Sequence, residues 1–290
     1  METIEGAIMN PSARTVTLDG VTVPRFLYGT AWKEVQTAGL VELALQQGFA
    51  GIDTANQRKH YDEAAVGQGI SAARGAERSA LFLQTKFTFR GGQDDRLPYD
   101  PAAPIAQQVA QSFALSLEHL GVSTIDSYLL HGPTSSVGLS ADDWEAWRAM
   151  ESLHAEGRVR LIGVSNFSLE QLQMLCAAAR VPPRFVQNRC YATTGWDRGT
   201  RHFCQQHEMC YQGFSLLTAN RPVLRSPVVR QVAVRLARTP AQIVFRFALD
   251  AGMIPLTGTT DAEHMKADLD VFEFQLQPDE ITEIEQIACV

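Results

Sequence analysis

Residues able to move a proton recur at the ends of short apolar runs in this chain: Asp53, Lys86 and His131, with His60 and Tyr61 a few positions beyond the first. In the stretch from Gly51 to Tyr61, an apolar run delivers the acid and a dense polar loop follows it. A carboxylate at a strand end, with a tyrosine or histidine close behind, makes half of a proton-donating site, and the other half has to come from later strand ends. Each residue also has a purely structural use. Asp53 can cap the helix starting near Tyr61, and Arg58-Lys59-His60 can be a solvated turn. Lys86 can satisfy a buried carboxylate, and His131 can be a hydrogen-bonded core residue. The elements that carry these residues decide between the readings.

After a polar leader over Met1 to Arg14, the alternation from Thr15 to Val23 around Asp19-Gly20 predicts a hairpin that plugs one end of a barrel. Strand and helix then alternate. Strands are predicted over Arg25–Thr30, Phe49–Ala55, Leu81–Lys86, Thr124–His131, Val159–Asn166, Arg184–Arg189, Met209–Ser215 and Gly252–Thr257. Helices are predicted over Val35–Gln47, Tyr61–Ala73, Pro104–Leu120, Ala141–Ala155, Leu169–Ala179 and Thr200–His207. Two extra helices follow near Pro227–Ala237 and Pro240–Ala251, and Asp261–Leu269 and Pro278–Ile287 close the chain. This order predicts an α/β fold, a (β/α)8 TIM barrel forming one domain over 1–290. The competitor, a doubly wound open sheet, lacks its GxGxxG after the first strand.

In such a barrel the reactive face holds the C-terminal strand ends. Asp53, Lys86, His131, Ser165-Asn166, Gln187 and Phe214-Ser215 all fall there, so an acid, a base and amide groups converge on one mouth. A length of 290 residues suits one barrel, and 45% hydrophobic with 20% charged residues suits a sizeable core. The formal charge of −7 argues against nucleic acid as a partner. The start of the chain lacks a secretory pattern and no stretch approaches a membrane span, so a cytoplasmic location away from membranes is expected. Cys176, Cys190, Cys204, Cys210 and Cys289 form no CxxC pair and read as reduced thiols, and no zinc spacing supports a metal site.

The ordered strand-end motifs resemble those of the aldo-keto reductase superfamily over nearly the whole chain. They are Gly29-Thr30-Ala31-Trp32-Lys33, Asp53-Thr54-Ala55, Leu83-Gln84-Thr85-Lys86, Asp126 to His131, Gly163-Val164-Ser165-Asn166 and Ile254-Pro255. The resemblance implies NAD(P)H-dependent reduction of a small-molecule aldehyde or ketone, with Asp53, Tyr61, Lys86 and His131 as the catalytic set. Tyrosine stands closer to the Asp in most relatives, whereas Tyr61 follows Asp53 by eight residues. Counting back from Val66-Gly67 puts His60 in its place. Tyr61 is the preferred proton donor, on the expectation that Asn56 to Lys59 bulges; His60 is the alternative. A free phenol has a pKa near ~10, and the resemblance implies that the Lys86 ammonium lowers it while a neutral His131 orients the carbonyl.

By the same resemblance, Ser165, Asn166 and Gln187 hold the nicotinamide carboxamide and Phe214 stacks on the ring, with Thr30, Trp32, Ser215 and Leu217 at neighbouring strand exits. Arg221 and Arg225 are anion partners for the pyrophosphate. Many relatives carry Lys and Arg for the 2′-phosphate of NADPH; here Leu256 takes the Lys position, and no Arg lies near Glu263-His264. Thr257 and Thr259 are the substitutes, with Arg221, Arg225 or Lys266 supplying charge, so NADPH is expected first and NADH second. Trp32, His60, Phe89 and Trp196 are expected substrate contacts. The chain ends at Val290, near its last helix, where many relatives continue into a tail over the pocket. An open site for a bulky or natural-product carbonyl is therefore expected, in a monomer or weak oligomer. A cofactor-sensing subunit with little turnover is the second functional reading.

Overall fold

The computed structural model describes residues 13–75 and 77–287; most of the leader and Cys289 lie outside them. The hairpin pairs β1 (Thr15–Leu18) with β2 (Val21–Pro24) in antiparallel register. Asp19 and Gly20 both hold positive φ, as a two-residue turn matched to strand twist requires. Leu18, Val21 and Val23 pack with Leu27, Phe82, Leu161 and Phe185, so the hairpin closes the N-terminal end of the barrel.

Eight parallel strands close on themselves. In chain order they are β3 (Leu27–Gly29), β4 (Gly51–Asp53), β5 (Phe82–Phe87), β6 (Ile125–Leu130), β7 (Val159–Ser165), β8 (Phe185–Arg189), β9 (Cys210–Phe214) and β10 (Met253–Thr257). Around them lie α1 (Thr37–Gln46), α2 (Glu63–Ala72), α3 (Ile105–Leu120), α4 (Ala141–Ala155), α5 (Leu169–Ala178) and α6 (Arg198–Gln206). The short α7 (Arg221–Leu224), the extra pair α8 (Pro227–Leu236) and α9 (Pro240–Asp250), and α10 (Ala262–Leu269) and α11 (Pro278–Gln286) complete the shell. The apolar face of α3 shows why such helices form: Val109, Phe113 and Leu120 are buried, and Gly121 ends the helix at φ 65°.

The observed α2 begins two residues later than predicted. Asp62 sits at its N-cap and accepts from the Ala65 backbone N–H at 3.2 Å, which leaves Tyr61 outside the helix. Capping is thus the work of Asp62, and Asp53 is free for the barrel interior. Gly67 lets α2 lie against the end of α3, since a Cβ there would stand 2.0 Å from the His119 carbonyl oxygen. Among the described residues no helix is long and apolar enough to cross a membrane.

Candidate active site

Inside the barrel, strand register sets a polar layer above the apolar plug. Asp53 pairs with Gln84, Gln84 with Ser127, Ser165 with Gln187, and Gln187 with Gln212. Their side chains join across the interior. Gln84 donates to Asp53 Oδ1 at 2.7 Å and to Gln212 Oε1 at 2.7 Å, Gln187 donates to the same two atoms at 3.0 and 2.9 Å, and Ser127 donates to Gln84 Oε1 at 2.9 Å. Sequence reasoning missed Gln84 and Gln212 as site residues. Their signal was an amide inside an otherwise apolar strand, in line with Asp53 and Gln187.

Lys86 stands one layer higher. Its Nζ donates to both Asp53 oxygens at 2.7 Å and to the Thr54 carbonyl at 2.8 Å, and the side chain is fully buried. Burial lowers the pKa of the ammonium, and the Asp53 carboxylate acts in the opposite direction. All three donor directions of Nζ are therefore occupied, and the Tyr61 ring lies under the cation with its centroid 5.4 Å away.

Tyr61 reaches this position because the chain turns over Gln57–His60, where the His60 and Tyr61 N–H groups both donate to the Gln57 carbonyl. The Tyr61 ring meets the His131 ring edge-on at 5.9 Å. His60 goes elsewhere: it stacks on Trp32 at 3.9 Å, and its carbonyl accepts from the Trp32 N–H at 2.7 Å. Burial, with Asp53 nearby, raises the Tyr61 phenol above its ordinary value. The anticipated lowering of that pKa by Lys86 is thus reversed, because the ammonium is engaged by Asp53 and desolvation dominates. Burial and the Lys86 charge hold His131 well below its ordinary value, so the imidazole is neutral.

These groups open onto a cleft of about 1100 Å³. Its walls include Trp32, His60, Tyr61, Phe89, His131, Ser165, Asn166, Gln187, Phe214, Ser215, Leu217, Thr257 and Thr259. Five anticipated contacts lie outside it: Thr30, Trp196, Arg221, Arg225 and Lys266. Trp196 is buried behind the barrel, where three successive left-handed residues, Gly195, Trp196 and Asp197, turn its ring against Phe247 and its Nε1–H toward the Ile284 carbonyl. Thr30 is buried and donates to the Asp53 carbonyl at 3.0 Å. Arg221 is exposed at the start of α7.

Beside these groups the cleft offers the Phe214 ring and the polar side chains of Ser165, Asn166 and Gln187, which could hold a cofactor's ring and amide, although the Ser165 hydroxyl donates to the Gln187 carbonyl, Asn166 Nδ2 to the His131 carbonyl and the Gln187 amide N–H groups to Asp53 and Gln212. Arg189 also lines the cleft, with its guanidinium 5.5 Å from the Phe214 centroid. Around β10 and α10 the wall carries Leu256, Thr257, Thr259, His264 and Asp268, with no lysine or arginine among the described lining residues there. Lys33 lies near this end and donates from Nζ to the Gly258 carbonyl. The residues present could hold a dinucleotide, and a phosphate placed against this wall would meet hydroxyls, an imidazole and a carboxylate. Among the described residues no cluster of His, Cys, Asp and Glu is arranged to hold a metal ion.

The model of the aldo/keto reductase family matches residues 27–288. An aldo-keto reductase of Mycobacterium tuberculosis is 32% identical over 267 residues, 91% of this chain and 88% of that protein. The NADPH-dependent alpha-keto amide reductase of Saccharomyces cerevisiae is 29% identical over 261 residues, 83% of this chain and 75% of that protein. Among solved structures, the Bombyx mori aldo-keto reductase in complex with NADP superposes with a TM-score of 0.80 at 27% identity, over 94% of this chain and 92% of that one.

Proposed function

The chain belongs to the aldo-keto reductase family, whose members use NADP(H), and we propose that it reduces an aldehyde or ketone to the alcohol with Tyr61 as proton donor. A bound nicotinamide supplies hydride to the carbonyl carbon. Tyr61, kept protonated by its surroundings, gives the proton to the carbonyl oxygen, and neutral His131 donates a hydrogen bond to that oxygen as charge develops. Lys86 and Asp53 hold a fixed charge pair at the face of the phenol ring. Trp32 and Phe89 give the cleft an aromatic rim suited to a bulky carbonyl.

One observation carries this reading: Tyr61 lies against both Lys86 and His131, whereas His60 is drawn onto Trp32. Tyr61→Phe is expected to lower kcat by about 10²- to 10⁴-fold with NADPH affinity unchanged. His60→Ala is expected to leave kcat within about threefold, since it removes a stacking partner rather than the acid. Loss of turnover in His60→Ala alone transfers the proton to His60. A second reading, a nicotinamide-binding subunit with little turnover, draws support from the Lys86 ammonium, whose donors are spent on Asp53 and Thr54 rather than on the Tyr61 hydroxyl. Tight NADPH binding without reduction of any of a panel of aldehydes and ketones would favour it.

A further inference from the structure

Thr88 is the first residue beyond β5, and His131 is the first beyond β6. The two strands run in parallel register with Phe87 opposite Leu130, so these exit residues stand side by side. The Thr88 hydroxyl oxygen lies 2.6 Å from His131 Nδ1, and Thr88 is 5% exposed. Both partners are pinned by their backbones. The Thr88 carbonyl accepts from the Tyr99 hydroxyl at 2.8 Å and from Gln93 Nε2 at 3.3 Å. The His131 N–H donates to the Phe87 carbonyl at 2.9 Å, and the His131 carbonyl accepts from Asn166 Nδ2 at 2.8 Å. The contact is therefore built into the mouth of the barrel.

A neutral imidazole carries one N–H and one bare nitrogen, and its bonding partners select which is which. If Nδ1 carried the proton, it would donate to the Thr88 oxygen, and the Thr88 hydroxyl hydrogen would then need an acceptor of its own. Among the described residues that hydroxyl has no second partner. The satisfied arrangement is the reverse: Thr88 donates to Nδ1, and the proton resides on Nε2.

We propose that Thr88 is a positioning residue that fixes His131 as its Nε2–H tautomer, so that the imidazole presents a donor to the substrate's carbonyl oxygen. The inference rests on the carbonyl-reducing role given to His131 above. In the other tautomer a bare Nε2 would face a bare carbonyl oxygen, and the hydrogen bond that strengthens in the transition state would be replaced by lone-pair repulsion. Tyr61 then remains the proton donor, and His131 contributes orientation and charge stabilisation.

The test joins a spectroscopic readout to kinetics. Protein with ¹⁵N-labelled histidine is examined by long-range ¹H–¹⁵N correlation at pH 7.5, with His131→Asn identifying the ring signals; parent, Thr88→Val and Thr88→Ser are compared. The parent should show the Nε2–H pattern alone. Thr88→Val should show both tautomers and lower kcat toward an aromatic aldehyde by about 10-fold, with NADPH affinity unchanged, and Thr88→Ser should restore both. An Nδ1–H pattern in the parent overturns the proposal, as does an unchanged ring spectrum in Thr88→Val. If Thr88→Val does not fold, the parent and Thr88→Ser spectra still decide it. If the parent reduces no carbonyl, the functional reading fails while the tautomer assignment stands or falls on its own spectrum.

Discussion

Replacing Asp268 by asparagine removes a charge from the cleft wall and leaves its shape. Asp268 is 5% exposed, and its Oδ2 accepts from the Thr257 hydroxyl at 2.7 Å, a bond that the asparagine carbonyl oxygen can keep. Burial pushes this carboxyl from 3.8 up to about 7, against the smaller opposing pulls of the Thr257 hydrogen bond and the His264 charge. Its folded pKa thus lies above the unfolded one, so the folded state binds more protons in between. Below about pH 4 the group is protonated in both states and costs nothing; the penalty grows as pH rises and is complete above about pH 7. A gap of about three units corresponds to roughly 4 kcal/mol. Cleft water reaching the site makes that an upper value. Asp268→Asn should therefore match the parent in urea unfolding at pH 4 and exceed it by about 2–4 kcal/mol at pH 8. The same stability difference at both pH values, or a less stable variant at pH 8, refutes a carboxyl whose pKa is raised by burial.

Three further outcomes follow from the same geometry. Asp268→Asn should also tighten NADPH binding more than NADH binding, followed by quenching of tryptophan fluorescence, because it removes a carboxylate from a wall without lysine or arginine; parallel changes for both cofactors would place the 2′-phosphate elsewhere. Lys86→Met should lower stability by about 3–5 kcal/mol in urea unfolding, since Asp53 keeps only the Gln84 and Gln187 amides, and a loss below about 1 kcal/mol would mean the pair is weakly coupled. Gly67→Ala should cost more than about 2 kcal/mol through its clash with the His119 carbonyl, whereas Gly39→Ala, with open space at its Cβ, should be neutral or stabilising, and thermal unfolding of the two variants distinguishes them.

The barrel was legible because each buried strand reads as a short apolar run with a polar exit, and a parallel barrel needs that pattern. The ends were less so. Tyr61 carries a helix-compatible pattern with the residues after it, but Asp62 competes for the cap and wins, which moves the start to Glu63. The inner amide layer escaped notice because a glutamine in a strand reads as an interruption until register sets Gln84 beside Asp53 and Gln212 beside Gln187. Trp196 was beyond reach: its burial depends on left-handed backbone at Trp196 itself, a conformation that its bulky residue type disfavours. Thr88 carried no motif, and its partner became visible only with the pairing of two strand exits.

The anticipated electrostatics of the phenol failed for a reason that bears on proton transfer at Tyr61. A lysine beside a tyrosine favours phenolate only if its charge is available, and here Asp53 accepts from Lys86 through both oxygens while Thr54 takes the remaining donor. What the phenol meets is a neutralised pair at the face of its ring and a desolvating wall, and both leave the neutral form preferred. Such a group is protonated at neutral pH, but giving up that proton leaves the same disfavoured phenolate from which the reverse reaction would begin, so the arrangement raises the cost of proton transfer in both directions. On the proposed reading, turnover therefore calls for Lys86 to shift from Asp53 toward the Tyr61 oxygen, where its charge would stabilise the phenolate.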